Sequence, residues 1–136
     1  MLVRITVMVL RISAVLALIL GILFWTQTAG GPLVPIHMLL GIIVTLSLWT
    51  LGVVIATAKG SGNVGIGAGA IVLGLLVIGL GLTQQTLLVG TSHWVIQVLH
   101  LLLGLLAIGM GEMINGRYRR RAVEVVAEVP SQRMPQ

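Results

Sequence analysis

The chain reads as an all-α integral membrane protein, an up-down-up-down bundle of four helices formed by two repeated hairpins. Three observations lead there. Of its 136 residues, 57% are hydrophobic and only 8% charged, with a mean hydropathy of +1.14. A water-soluble domain of this size needs far more surface charge. The apolar residues fall into four uninterrupted runs, about 5–27, 33–57, 64–86 and 93–115, each long enough for the roughly 20 residues that cross a hydrocarbon core as a helix. Strand-like alternation is absent, and in lipid a lone segment satisfies its own backbone only as a helix.

The first run carries Arg4 and Arg11 near its start and resembles a secretory signal in outline. It is too long for such a segment and is read as a retained first helix, with Arg11 snorkelling back to the nearer membrane face. Thr28-Ala29-Gly30-Gly31-Pro32 links it to the second run, and Lys59-Gly60-Ser61-Gly62-Asn63 links the second to the third. Residues 87–92 lead into the fourth run, which opens at His93-Trp94, a polar–aromatic pair suited to the membrane interface. Connections this short force antiparallel neighbours. Residues 1–116 therefore form the bundle, and 117–136 form a basic tail. Glu112, the one acid inside a run, is expected to pair with Arg117 or another basic residue nearby. Small multidrug transporters share a four-helix plan but centre on a glutamate in the first helix, where this chain has no acid.

All eight basic residues lie near the two termini or in the Lys59 loop, and none lies in 28–32 or 87–92. That segregation explains the net charge of +5 as a topology signal, not a nucleic-acid surface. It predicts a multi-pass protein of a bacterial-type inner (plasma) membrane with both termini cytoplasmic. Without cysteine, the chain offers no disulfide, no thiolate metal site and no Cys-x-x-Cys-His for covalent haem attachment.

Against this background two histidines stand out. His37 is followed four residues on by Gly41, and His100 by Gly104, in similar Leu-rich surroundings. An ionisable group inside a span is a functional candidate by default. The two stretches also repeat each other: Thr26-Gln27-Thr28 ends one hairpin's first helix and Thr83-Gln84-Gln85-Thr86 the other's, each followed by a His-x-x-x-Gly, after a loop longer by about six residues in the second case. Helices 2 and 4 then run the same way and present their histidines at matching depth, near the outer leaflet, across the bundle diagonal. Two imidazoles so placed suit the axial positions of one metal, most simply a non-covalently held haem b. A glycine one turn on, lacking Cβ, lets a flat macrocycle approach the backbone. Structural zinc wants four ligands, and no carboxylate or thiol lies at this depth. Gln27, Gln97 and His93 are candidate contacts for the cofactor's polar edge. Neither His93 nor Glu112 is expected to bind metal. Gly52 lies apart from the histidines, so a bulky residue there is expected to disturb the site less than one at Gly41 or Gly104.

A helix ending in Leu-Gly-Ile-Leu, an outer Thr/Gln segment, and then Pro32-x-x-x-x-His37-x-x-x-Gly41 resemble one half of haem A synthase. The likeness covers roughly residues 10–112. That family is built of two four-helix bundles, each holding haem between histidines on its second and fourth helices, which map onto His37 and His100. In the family's catalytic half a glutamate stands three residues before the first histidine and an arginine follows it; here those positions are Val34 and Met38. The family's outer-loop cysteines are missing too. The resemblance thus implies the non-catalytic, cofactor-holding half.

The function expected is that of a small membrane cytochrome b, an electron-transfer subunit of a respiratory or photosynthetic complex and not an enzyme by itself. Its partners would be a larger membrane complex, a periplasmic-side electron donor or a quinone. Two other classes fit the same chain: a cofactor-free accessory subunit of a membrane complex, and a haem carrier or haem-modifying protein. The topology is open to direct test. A cysteine at Ser92 should label with an impermeant reagent from the periplasmic side and one at Ser131 should not; labelling at Ser131 alone reverses the orientation.

Overall fold

The computed structural model describes residues 1–58 and 63–128, with side chains described as far as Arg120. Lys59 and the tail beyond Glu128, including Pro130, Arg133 and Pro135, lie outside the described residues. Four helices follow one another: α1 (Leu2–Trp25), α2 (Val34–Thr57, entered through a 3-10 turn at Gly31–Leu33), α3 (Val64–Thr83) and α4 (His93–Glu128). No strand occurs among the described residues. All four helices are long and apolar enough to cross a membrane, with mean hydropathies of 2.7, 2.4, 2.4 and 2.0 over their most apolar stretches. Large apolar side chains such as Leu16, Ile19, Leu75 and Leu106 point outward. A continuous apolar exterior of this kind suits lipid, not water.

The ends of the helices have local causes. Helix α1 stops at Trp25, short of the expected residue 27, because Gln27 enters the left-handed region at φ 57°. The amide of Thr28 then reaches the Leu23 carbonyl (3.0 Å) and that of Gln27 the Phe24 carbonyl (3.1 Å), the paired bonds of a Schellman C-cap. The Thr26 hydroxyl donates to the Ile22 carbonyl (3.0 Å). Helix α3 begins where the Asn63 side chain accepts from the Ile66 amide (3.1 Å), an N-cap. It ends at Thr83, three residues short of the expected boundary. Helix α4 overruns expectation instead. Its 36 residues span about 54 Å at 1.5 Å each, so the first part of the 117–136 tail is a continuation of the last helix. Residues 117–128 are rich in arginine, alanine and glutamate and contain no proline or glycine, so nothing in them breaks a helix.

Helix α2 touches each of the other three, and α4 touches α1, α2 and α3, so α2 and α4 form the close diagonal of the bundle. Leu10, Leu48, Leu51, Ile55 and Ile114 are fully buried at its centre. In lipid the gain comes from close packing rather than escape from water, so small residues decide where helices approach. The α2–α3 seam is the clearest case. A Cβ on Gly67 would lie 2.6 Å from the Gly52 carbonyl oxygen and 2.7 Å from Ala56 Cβ, and one on Gly52 would lie 2.9 Å from Ala70 Cβ. Beside them, Trp49 donates from its indole nitrogen to the Ile71 carbonyl (3.1 Å), its ring standing where Gly74 has no side chain. Gly52 is therefore a packing residue at the main helix contact, and it is no neutral reference position for the histidine site.

Gly67→Ala should destabilise the bundle by about 1–3 kcal/mol through overpacking against backbone. Gly79→Ala, whose added methyl meets nothing within 4 Å, should be neutral or stabilising by about 0.5–1 kcal/mol through helix propensity. Thermal unfolding in detergent distinguishes them, and equal midpoints would refute the close α2–α3 contact.

Candidate functional site

His37 is the fourth residue of α2, immediately beyond the 3-10 turn. Pro32 and Pro35 stand in the first turns of these elements, where the missing amide hydrogen leaves no helical bond unmade. His100 lies two turns inside α4. The short α2–α4 diagonal brings the rings together, with centroids 6.3 Å apart and planes inclined at 56°. Both Nδ1 atoms are buried and have no hydrogen-bond partner. An unmet buried polar group costs about 1–3 kcal/mol, and here two occur side by side.

The residues packed around the rings differ from those expected. Gly41 and Gly104, one turn beyond the histidines, border open space: a Cβ on either meets nothing within 4 Å. The glycines in contact with the imidazoles are Gly21 on α1 and Gly81 on α3. A Cβ on Gly21 would lie 3.5 Å from His37 Cε1, and one on Gly81 would lie 3.2 Å from His100 Cε1. Each hairpin thus sets a glycine of its first helix against the histidine of its second. This pairing also revises the register of the repeat. Gly21 precedes His37 by 16 residues and Gly81 precedes His100 by 19, so the second hairpin is longer by three. The Thr/Gln segments gave six because they sit differently on their helices: Thr26 is five residues after Gly21 and Thr83 only two after Gly81.

Phe24, one turn beyond Gly21, meets the His37 ring edge-on at 5.5 Å and 73°. Its counterpart after Gly81 is Gln84, so the two histidines have unlike neighbours. Gly21 and Gly81 carried a weak signal, a shared Leu-Gly dipeptide sixty residues apart. Phe24, as the only phenylalanine, carried none beyond its spacing from Gly21.

The proposed polar contacts are dispersed. Gln27 is exposed at the end of α1, where its backbone forms the cap. Gln97 is half-buried on α4, one turn before His100. The His93 Nδ1 lies 3.2 Å from the Leu87 carbonyl oxygen, tying the start of α4 to the preceding loop. Among the described residues, no group of three or more His, Cys, Asp or Glu side chains converges, so a metal bound only by protein side chains has no site there.

Two imidazoles alone suit a metal whose other positions are filled by a macrocycle. With a metal–nitrogen bond of about 2 Å and roughly 1 Å more to each ring centre, trans imidazoles stand about 6 Å apart. The observed separation fits, and so do the two unsatisfied ring nitrogens.

A second constellation lies nearer the end of the bundle that carries the termini. Arg11 on α1 grips Glu112 on α4 with both arms of a fork, Nε to Oε1 at 2.5 Å and Nη2 to Oε2 at 2.7 Å. This cross-helix pair takes the place of the expected snorkelling of Arg11 and of a Glu112–Arg117 contact. Arg117 is five residues on from Glu112, about 140° around the helix, and faces elsewhere. Leu10 packs where Gly111 has no side chain, which brings α1 and α4 together at this level.

No family model, curated protein or solved structure matches this chain.

Because the fork couples the first helix to the last, Arg11→Leu and Glu112→Leu should each lower the unfolding midpoint by more than the double replacement does, since each single change strands one charge in an apolar setting. Additive effects in a double-mutant cycle would show the pair to be uncoupled.

Proposed function

We propose that the chain is a small membrane cytochrome of b type, in which His37 and His100 are the axial ligands of a single non-covalently held haem. The observation that carries this reading is the meeting of two half-buried imidazoles at 6.3 Å, each with a buried Nδ1 that has no hydrogen-bond partner. Such a haem supplies a one-electron redox couple. The protein's own part is to hold both rings at fixed depth, with Gly21 and Gly81 making room for them and Phe24 bracing one.

The charge segregation supports an orientation with 28–32 and 87–92 outside, which puts the histidine layer near the outer leaflet. One redox centre at that depth serves exchange with a periplasmic-side donor or a quinone. Carrying an electron across the bilayer calls for a second centre in a partner, which is the basis for reading the protein as a subunit of a respiratory or photosynthetic complex. The two missing catalytic positions, Val34 and Met38, favour this reading over haem A synthesis.

The test is an absorption spectrum of the purified protein in detergent, with a Soret band and sharp reduced α and β bands expected. His37→Ala or His100→Ala should leave high-spin five-coordinate haem or none. His93→Gln and Glu112→Gln should keep the low-spin spectrum. Gly21→Leu and Gly81→Leu should weaken haem retention by displacing the rings. A colourless preparation, or spectra unchanged in both alanine variants, would sink the assignment; in the first case a cofactor-free accessory subunit becomes the better reading.

A further inference from the structure

The Arg11–Glu112 fork has an unusual setting. The pair lies within stretches apolar enough to span a membrane, yet the two side chains are 56% and 37% exposed on the outside of the bundle. Arg11 uses Nε and Nη2 on Glu112, and among the described residues its Nη1 has no partner. Asn115, nearly one turn on from Glu112, lies beside the carboxylate.

Helical register extends this seam. Seven residues make two turns to within about 20° and rise about 10 Å. Arg4 is seven residues before Arg11 on α1, and Arg119 is seven after Glu112 on α4. The helices are antiparallel, so both steps lead toward the same end of the bundle. From the level where Arg11 meets Glu112, they bring Arg4 and Arg119 to a common level on the two faces that flank the α1–α4 seam. Both are exposed. Among the described residues neither pairs with an acid; α1 contains none, and α4 has none between Glu112 and Glu124. Glu112 pairs with Arg11, which leaves two exposed guanidinium groups on the faces that flank the α1–α4 seam.

We infer that the seam between Arg4 and Arg119 binds a phosphate group, and that its source is the headgroup of an anionic phospholipid. Guanidinium groups match phosphate oxygens in planar, bidentate fashion, and basic pockets between membrane helices are suited to such headgroups. A lipid rather than free phosphate is indicated by what adjoins the two arginines. Met8, Ile12 and Val15 on the same side of α1 are all more than half exposed, at 57%, 55% and 54%, and run from the arginines toward the bundle's middle. Headgroup and acyl chain therefore meet chemically matched surfaces in the right order. The inference is independent of what the histidines hold.

The test is lipid titration of the purified full chain in neutral detergent, read by native mass spectrometry, with phosphatidylglycerol against phosphatidylcholine. The double variant Arg4→Gln/Arg119→Gln should lose roughly tenfold or more in affinity for phosphatidylglycerol. Arg117→Gln/Arg120→Gln removes the same charge away from the seam and should stay within about twofold of the parent. Helix content and unfolding midpoint, measured in the same detergent, confirm that each variant is folded. Equal losses in both variants would reduce the effect to general surface charge and overturn the site, as would no loss in either. If inorganic phosphate alone displaces the lipid at comparable concentration, the seam is a soluble-anion site and the lipid assignment is wrong.

Discussion

The architecture depends on how closely α2 can be approached. This helix makes the most extensive contacts, with α1 and α3, and it holds that position because its neighbours bring little bulk to the contact. Gly67, Ala70 and Gly74 leave room on α3 for Gly52, Ala56 and Trp49, and Gly52 returns the same allowance from α2. Lipid offers apolar side chains almost the same environment as another helix does, so burial by itself gives little reason for helices to associate. Fit does. The Trp49 indole bond to the Ile71 carbonyl adds a directional contact that a misregistered pair of helices could not make.

The histidine layer is a consequence of that arrangement. With α1 and α3 held apart on either side, α2 and α4 approach along the diagonal, and the residues on their facing sides become partners across the axis. His37 and His100 occupy those sides at one level. Their rings are backed by glycines on the flanking helices, Gly21 and Gly81, so the flanking pair shapes the site, and the Ala17 backbone of α1 reaches His37. The result is a site whose side-chain polar atoms are two imidazoles set ring to ring. Such a donor set is insufficient for a metal ion bound by side chains alone and well matched to one that brings an equatorial ring of its own. Phe24 breaks the symmetry, bracing His37 where its counterpart beside His100 is Gln84.

Charge organises the opposite end. Helix α1 and helix α4 are the first and last of the chain, and their contact has no connecting loop to enforce it. The Arg11–Glu112 fork, 101 residues apart in sequence, spans that contact where Leu10 fits against Gly111. A buried or lipid-facing ion pair is a weak source of net stability but a strong source of specificity, because each partner is costly without the other. It fixes which faces of α1 and α4 meet, and so aligns Arg4 with Arg119.

By itself the amino-acid sequence determined the number of helices, their alternation and the identity of the two histidines. Each is written in local patterns: unbroken apolar runs, short connections, and ionisable residues where none is otherwise tolerated. Helix ends were less legible, since the stop of α1 depends on Gln27 taking a left-handed conformation that glycine usually supplies, and the extension of α4 on the absence of any breaker before Pro130. Tertiary structure alone decided which glycines serve the site. Gly41 and Gly104 share a helix with the histidines and so looked like their neighbours, but a residue one turn along the same helix lies above a ring rather than against it. The contact is made by the helix next door. Gly21 and Gly81 come into register only once the hairpins close, as does Arg11 with Glu112, because the distance between helices is set by packing that no single segment encodes.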